Sequence, residues 1–389
     1  MSILLLVVGI ILFIGLVVVH EFGHFIVARR NGVEVEEFGI FFPPRLYKHK
    51  TKAGWDFTIN LLPLGGFVRL KGEHDSDTEP GTFGAASTWV KSKIMAAGVV
   101  FNLIAALVIL TFVALVGMPK LIDNQFTVKS DTQLVTNKVL VGYIEPDSPA
   151  HKAGLQSQDE ITAFRLPGYS PVGIKSAKQL PSVTKQFAGK TVDLYYTRAG
   201  HENVAKVSLR TSGVVDASKK TDKPKGYLGI APTEFTLQRS TWSAPIVAVG
   251  FSAQVTALTF QGLGHAVGGL GSLIAGAVTG NTTARQNGQT DASSQVSGPV
   301  GIFVILKDGS LLGYQFVLLI IGIISLTLAI MNILPIPALD GGRLWFTLVA
   351  RAIKRPMSAR TEEIINATGF FLLIGLIILI TLVDVKRFF

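Results

Sequence analysis

Residues 2–24 read SILLLVVGIILFIGLVVVHEFGH, and this stretch decides the class of the protein. The run is apolar up to Val19 and then carries the ionisable residues His20, Glu21 and His24. A helix rises about 1.5 Å per residue, so the run is long enough to cross a hydrocarbon core of roughly 30 Å, and His20 lies about 27 Å along it. Because ionisable groups at membrane depth are costly and usually functional, the stretch predicts a membrane helix with a functional site near one end.

The three ionisable residues form the pattern H-E-x-x-H. On a helix, positions i and i+4 share one face, so both imidazoles can reach one metal ion. Zinc accepts such nitrogen ligands and keeps a position open for water, from which Glu21 can take a proton. The alternative is that His20 and His24 merely mark where the helix leaves the bilayer. That alternative does not explain the acid between them.

The overall composition is that of a polytopic membrane protein. Hydrophobic residues make up 48% of the chain and charged residues only 16%, whereas about a quarter of a typical globular chain is charged. The apolar excess falls into four runs, which predict about four transmembrane helices near residues 2–20, 94–116, 312–333 and 369–383. The chain has no cysteine, which excludes disulfides and thiolate ligands, so a bound metal must use histidine and carboxylate.

The net charge of +10 is mostly a topology signal. Residues 25–93 hold ten Lys and Arg, of which Arg29, Arg30, Lys91 and Lys93 lie beside apolar runs, and residues 334–368 hold five more. Basic residues beside membrane spans mark the cytoplasmic side, so we expect the N-terminus and the long loop 117–311 to lie outside. No basic patch is interleaved with aromatics as in a nucleic-acid binder. The first run lacks a basic flank and a small-residue cleavage site, so we expect it to be retained.

Three further segments have distinct patterns. Residues 59–70, INLLPLGGFVRL, alternate apolar positions with Gly and Pro and favour a hairpin associated with the membrane boundary. Residues 121–231 have the composition of one small mixed domain, in which Ser148 caps a short helix that begins at Pro149 and ends at Gly154. Residues 244–280 are apolar but rich in Gly, Ala and Ser, and we expect an interfacial or bundle-packed helix pair rather than a fifth span.

A third metal ligand is predicted in residues 331–343, MNILPIPALDGGR, at the end of the third span. The prolines break the helix and the Gly pair allows close backbone approach, so Asp340 is well placed to reach a metal. Alternatively, Asp340 only caps the following helix. Because Asp340 must meet His20 and His24 on one side of the bilayer, an even number of spans must separate them. The other histidines are expected to be ordinary surface or packing residues: His49, His74, His151, His201 and His265.

HEFGH in the first span together with NILPIPALDGG closing a later one resembles the site-2 protease family of intramembrane zinc metalloproteases, and more closely its bacterial regulator-of-sigma-E protease type. Asn102, residues 297–301 (SGPVG) and Asp384 also match. The resemblance implies that His20, His24 and Asp340 bind one Zn²⁺ and that Glu21 activates water and shuttles its proton. It further implies a substrate-binding set that consists of Asn332 and the hairpin residues Asn60, Leu61, Leu62, Gly65 and Gly66.

The inserted domain resembles a PDZ domain through residues 142–146 (GYIEP) and 148–155. It departs from the usual pattern at Gln158, where a Gly often precedes the Asp, and only one such domain fits the space. The domain is expected to bind peptide or to filter substrates by size. The resemblance implies membrane-spanning partners, namely anti-sigma factors, signal-peptide remnants or pheromone precursors, cleaved in regulated intramembrane proteolysis in a bacterial cell membrane. No nucleic acid is expected.

The expected fold is therefore a polytopic α-helical membrane protein with about four transmembrane helices, a membrane-associated β-hairpin and one inserted extracytoplasmic PDZ-like α+β domain. The seven expected segments are a first helix with HExxH (1–30), a cytoplasmic-side segment with the hairpin (31–93), a second helix (94–117), the PDZ-like domain (118–232), interfacial helices and linker (233–311), a third helix with LDGG (312–343), and a cytoplasmic segment with the fourth helix (344–389).

Two other functions remain open at this point. Intramembrane His, Glu and Asp also serve in transporters and proton relays, although the inverted repeats of such proteins are not evident. The second alternative is an inactive membrane scaffold that presents the PDZ-like domain. In that case the purified protein would contain no stoichiometric zinc.

Overall fold

The computed structural model describes residues 2–73, 77–219, 221, 223–279, 298–353 and 359–388. His74 and Ser297, which the sequence analysis considered, lie outside them. The chain divides into two compact units, one of residues 1–113 and 244–389 and the other of residues 114–243.

The first unit is mostly helical. Its elements are α1 Ser2–Arg30, β1 Val35–Lys50, β2 Asp56–Leu70, α2 Thr88–Val116, α6 Ala244–Thr279, α7 Pro299–Leu312, α8 Tyr314–Ile333, α9 Asp340–Ala352 and α10 Ala359–Phe388. Among the described residues, five helical stretches are long and apolar enough to cross a membrane: Ile3–Arg30, Thr88–Val116, Ala244–Gly269, Tyr314–Ile333 and Arg360–Lys386. The prediction of a protein with several membrane-type helices is confirmed, with one candidate span more than the four expected.

The additional candidate is α6, where we expected a pair of interfacial helices. Residues 244–279 instead form one continuous helix of 36 residues. After Pro245, which occupies the first turn, the segment contains no proline that would remove a backbone hydrogen bond. Its threonine hydroxyls at positions 256 and 259 are satisfied within the helix, because they donate to the carbonyl oxygens four residues earlier at 2.8 Å. The polar composition therefore does not interrupt the helix.

The predicted hairpin is more elaborate than two straight strands. β1 and β2 both bend, so that residues 35–40 pair with 66–70 on one side and with 56–59 on the other, while residues 45–50 pair with 56–60. The result is a sheet of four segments in the order 66–70, 35–40, 56–60, 45–50. Its centre holds Glu37, which is 1% exposed and accepts hydrogen bonds from Thr58 at 2.8 Å, Arg45 at 3.2 Å and Arg69 at 2.6 Å. Because Arg45 and Arg69 belong to the two outer segments, this buried carboxylate links the inner segments to both of them.

The second unit is an antiparallel sheet with short helices. Its strands follow the order β3-β9-β4-β5-β7-β8, with β6 paired to β5. The elements are β3 Met118–Pro119, β4 Gln133–Ile144, α3 Pro149–Lys152, β5 Glu160–Arg165, β6 Val172–Gly173, α4 Leu180–Gln186, β7 Thr191–Arg198, β8 His201–Ser208, α5 Ser212–Ser218 and β9 Ile230–Arg239. The apolar core includes Val141, Phe164, Val192 and Leu194, all fully buried.

The sequence predicted the short helix of this unit correctly but ended the unit too early. The Ser148 side chain accepts from the backbone of His151 at 3.1 Å, Pro149 opens α3, and Gly154 follows it with φ +74°. The boundary expected at residue 232, however, falls inside β9. Because β9 pairs with β4 up to Arg239, the unit continues to Ser243.

Candidate metal centre

The last turns of α1 present two imidazoles to the same point. His20 and His24 are 8% and 9% exposed, and their rings meet edge to face with centroids 4.9 Å apart. Their Nε2 atoms lie 3.3 Å from each other. The i, i+4 spacing produces this arrangement, because both side chains leave one face of the helix.

Asp340 completes the cluster from the other end of the chain. Its Oδ2 atom lies 2.9 Å from Nε2 of His20 and 3.0 Å from Nε2 of His24. The three ligand atoms form the one group of this kind found among the described residues. Zinc ligands at about 2.0–2.1 Å from a tetrahedral ion are about 3.3 Å apart, so a shift of a few tenths of an ångström would fit the ion. Two imidazoles and a carboxylate are also the donor set of a catalytic zinc site with one open position.

The loop between α8 and α9 explains how Asp340 reaches the histidines. Helix α8 ends at Ile333, and Asp340 is the first residue of α9. The next two residues must be glycines: a Cβ on Gly341 would lie 2.2 Å from the carbonyl oxygen of Leu334, and one on Gly342 would lie 2.2 Å from that of Ile336. The start of α9 thus packs directly on the preceding loop, as the Gly pair in the sequence predicted.

Glu21 lies between the histidines and the β-sheet. It is half-buried, and a Cβ built on Gly66 would lie 3.2 Å from its Cγ. Residues 66–70 form an edge of the sheet, so this edge passes beside the carboxylate that sequence analysis assigned to proton transfer. Glycine at position 66 permits the close approach.

Helix α2 packs against the cluster at Gly98, a glycine that the sequence analysis did not single out. A Cβ on Gly98 would lie 2.4 Å from Cε1 of His20 and 2.5 Å from Nε2 of His24. Gly23 plays the reciprocal part on α1, because its Cβ would lie 2.8 Å from the carbonyl oxygen of Ala97. The signal for Gly23 was present within HEFGH, whereas Gly98 looks like any glycine in an apolar helix.

The second ring nitrogen of each histidine lies against α2. Nδ1 of His24 donates to the carbonyl oxygen of Ile94 at 2.7 Å. An acceptor of this kind fixes the ring orientation of a metal-binding histidine. Nδ1 of His20 lies 3.3 Å from the amide nitrogen of Asn102, which is 1% exposed.

The predicted substrate-binding residues have different environments. Asn60 is buried and donates to the carbonyl oxygens of Ile40 at 3.3 Å and Phe41 at 3.1 Å, so it satisfies the sheet's own backbone. Leu61 and Leu62 are exposed at the bend of β2. Gly65 packs on the ring of Phe42, and Gly66 lies beside Glu21. Asn332 is half-buried in the last turn of α8.

The other histidines of the described ranges take no part in this cluster. His49 lies in β1, His151 in α3, His201 in β8 and His265 in α6. They join no other group of metal-binding side chains within the described part of the chain.

Comparison with known proteins identifies relatives over nearly the whole chain. The model of peptidase family M50 matches residues 8–376. A protein of Clostridium acetobutylicum named "Putative zinc metalloprotease" is 31% identical over 386 residues, covering 99% of this chain and 98% of its own. One of the same name from Clostridium perfringens is 28% identical over 98% of each chain. "Probable protease eep" of Enterococcus faecalis is 27% identical, also over 98% of each chain.

Proposed function

This chain belongs to peptidase family M50, and the relatives reported above are named as proteases, two of them as zinc metalloproteases; on that premise we propose that it cleaves peptide bonds within or beside the lipid bilayer. The observation that carries the proposal is the convergence of His20, His24 and Asp340 beside Glu21 in a unit built from membrane-type helices. The proposed substrates are single-span membrane proteins or signal-peptide remnants.

In the proposed mechanism His20, His24 and Asp340 would hold one Zn²⁺, which when bound supplies Lewis acidity and lowers the pKa of water. Glu21 takes a proton from the attacking water and delivers it to the nitrogen of the departing amine. The low exposure of the histidines keeps bulk water away from the ligands, which strengthens electrostatic interactions at the centre.

Substrate is proposed to bind as an added β-strand. A helical peptide bond is shielded by its own hydrogen bonds, so a membrane-spanning substrate must unwind before it is cut. Residues 66–70 offer an edge with no strand paired on its outer side among the described residues, and Gly66 brings that edge to Glu21. Strand addition at this edge replaces the backbone hydrogen bonds that the substrate loses. Asn332 has no hydrogen-bond partner for its amide among the described residues, which supports a contact with the substrate backbone.

The proposed orientation has the N-terminus outside and the metal centre near the cytoplasmic face. The charge distribution supports this orientation. Trp89 lies at the start of α2 and Trp345 in α9 after the end of α8, both expected at the cytoplasmic interface. Tyr314 begins α8 at the interface expected outside. The contact of Asp340 with the histidines requires an even number of crossings between them. Helices α6 and α7 therefore either both traverse the bilayer or both remain on one side. The 14 residues of α7 span only about 21 Å, which favours the second arrangement.

The second unit is proposed to be a PDZ-like domain that binds extended peptide. A groove of about 400 Å³ lies between α4 and residues 225–232, and Lys185, Lys219 and Lys225 line it. β9 pairs with β4 along its length but with β3 only at Leu237 and Gln238, which leaves its first residues an open edge at the groove. An open strand edge and basic side chains suit a peptide that ends in a carboxylate. Tighter binding of a free peptide C-terminus than of its amide would support this assignment, and equal weak binding would favour a size filter.

The deciding experiment for the proposed function compares Glu21→Gln with the unaltered protein. We expect Glu21→Gln to bind zinc stoichiometrically and to lose cleavage of a single-span test substrate in lipid vesicles. His20→Ala should lose both zinc and cleavage. Full cleavage by Glu21→Gln would refute the proposed mechanism. A proton relay or an inactive scaffold would show no cleavage even in the unaltered protein.

A further inference from the structure

The amide of Asn102 lies against a ring nitrogen of His20 in an arrangement that cannot be a hydrogen bond if Nε2 of His20 binds a metal. The amide nitrogen lies 3.3 Å from Nδ1, while the amide oxygen is buried without a hydrogen-bond partner among the described residues. A neutral histidine that ligates through Nε2 carries its proton on Nδ1. Two donors would then face each other, and a buried acceptor would remain unsatisfied.

Rotating the amide of Asn102 by 180° removes both problems. Oxygen and nitrogen of an amide are nearly equal in size, so the rotation exchanges them without moving other atoms. The oxygen then accepts from Nδ1–H of His20. The same contact already exists at His24, whose Nδ1 donates to the carbonyl oxygen of Ile94. Helix α2 would thus supply one acceptor to each histidine, from positions 94 and 102.

The position of Asn102 is itself fixed from a third helix. Ser325 of α8 is fully buried and donates its hydroxyl hydrogen to the backbone carbonyl oxygen of Asn102 at 2.8 Å. This bond holds α2 against α8 but does not involve the amide. Asn102 therefore makes two separate contacts: its side-chain amide faces the ring of His20, and its backbone carbonyl accepts from Ser325. The second contact joins helices only, so it serves as a control for the first.

We propose that Asn102 is a positioning residue, whose amide oxygen fixes His20 in the tautomer and ring orientation that bind zinc through Nε2. The proposal rests on the proposed ligand set of His20, His24 and Asp340. Removing an acceptor of this kind typically weakens metal binding about 10- to 100-fold.

The test measures zinc affinity by chelator competition on the full-length protein in detergent. Asn102→Leu keeps the volume but removes the acceptor, and we expect affinity to fall about 10- to 100-fold. Asn102→Asp keeps an acceptor and should stay close to the unaltered protein. Ser325→Ala should lower the melting temperature of the metal-free protein with no change in zinc affinity.

Unchanged affinity in Asn102→Leu, or a folded Asn102→Asp that loses zinc, would overturn the proposal. If Asn102→Leu does not fold, Asn102→Ala, which also lacks the acceptor, takes its place with the same expected loss of affinity. Failure of the ligand set itself is recognised separately, because His20→Ala would then retain zinc.

A different observation concerns α9, whose exposed side is apolar. Trp345, Leu348, Val349 and the following Ile353 are 48%, 38%, 53% and 61% exposed, and their spacing places them in one stripe. The charged side chain of Arg343 is turned away from this stripe, toward Glu73 and Glu362.

The structure assigns this stripe to the interfacial layer of the bilayer. The indole N–H of Trp345 donates to the carbonyl oxygen of Ile333 at 3.2 Å, which holds α9 at the end of the membrane-type helix α8. An amphipathic helix at that level buries its apolar face among lipid headgroups and acyl chains. Because Asp340 is the first residue of α9, lipid contact also steadies a metal ligand.

The absence of cysteine makes the test clean, since a single introduced cysteine takes the only nitroxide label. Full-length Val349→Cys and Arg351→Cys are labelled and reconstituted in lipid vesicles, and their accessibility to oxygen and to a water-soluble nickel complex is compared. We expect oxygen to dominate at 349 and nickel at 351, which is exposed and, being two residues on, lies on the opposite side of α9. A label at 349 reached mainly by nickel, or shielded from both reagents by protein, would overturn the assignment.

Discussion

Substituting Gly98 by alanine should remove zinc binding while leaving the helices intact. An added Cβ would lie 2.6 Å from Nε2 of His20 and 2.5 Å from Nε2 of His24, whereas ordinary contact begins near 3.4 Å. The methyl group would therefore overlap both ligand atoms by 0.8–0.9 Å and enter the space that the ion needs. Nitrogen–zinc bonds are about 2.0–2.1 Å long, so carbon and metal cannot share this space.

The expected loss of zinc affinity is at least about 100-fold, because the substitution obstructs the ion directly rather than through a neighbouring group. Alanine is favoured over glycine in a helix by roughly 0.5–1 kcal/mol, but overpacking against the two buried imidazoles opposes that gain by about 1–3 kcal/mol. Zinc content and cleavage should both fall, and the melting temperature in chelator should fall only slightly, because the clash is confined to the two imidazole rings.

Gly15→Ala is the matched control, because Gly15 lies in α1 and a Cβ there meets nothing within 4 Å. It should retain zinc and cleavage. Stoichiometric zinc with unaltered affinity in Gly98→Ala would refute the geometry of the centre described here.

Gly341 and Asp131 can be tested in the same way, the first beside the metal centre and the second in the other unit. Gly341→Ala places a Cβ 2.2 Å from the carbonyl oxygen of Leu334, so the neighbouring carboxylate ligand must move, and cleavage should fall at least about 10-fold; unchanged cleavage would contradict this. In the second unit, desolvation opposes ionisation of Asp131, but donors from Thr241 and Ser243 outweigh it and hold its pKa below the usual range. Because the pKa of Asp131 is lower in the folded than in the unfolded protein, its ionised form stabilises the fold at pH values above the unfolded pKa of about 3.9. This stabilisation is lost as the pH falls through the folded-state pKa. Hydrogen exchange of residues 240–243 should therefore be faster in Asp131→Asn than in the unaltered protein at pH 6, with a smaller difference at acidic pH.

Local patterns were sufficient to predict the elements that carry the chemistry. The apolar run up to Val19 predicts α1, and the i, i+4 spacing predicts that two imidazoles share a face. Residues 148–154 predict α3 with its cap and its terminating glycine, and the structure has both. Each of these patterns lies within a few residues of the backbone it controls.

Composition misled where it was used in place of hydrogen bonding. Glycine and serine in residues 244–280 suggested a broken helix pair, yet α6 is continuous because no proline interrupts it. The role of Asn60 in substrate binding, which the resemblance implies, stays a prediction, and the structure adds that its amide donates to the carbonyl oxygens of Ile40 and Phe41. These partners are not visible in the sequence, because they depend on how the strand bends.

The sequence by itself determined the class of protein, four of the five membrane-type helices of the described residues, and side-chain types suited to zinc, since these depend on length, periodicity and side-chain chemistry. Only the tertiary structure decided that Gly98 lies against both imidazoles, that Ile94 and Asn102 face their second ring nitrogens, and that the sheet edge at Gly66 passes Glu21. These contacts join segments tens to hundreds of positions apart. They depend on how closely helices and strands pack, which no local pattern of residues specifies.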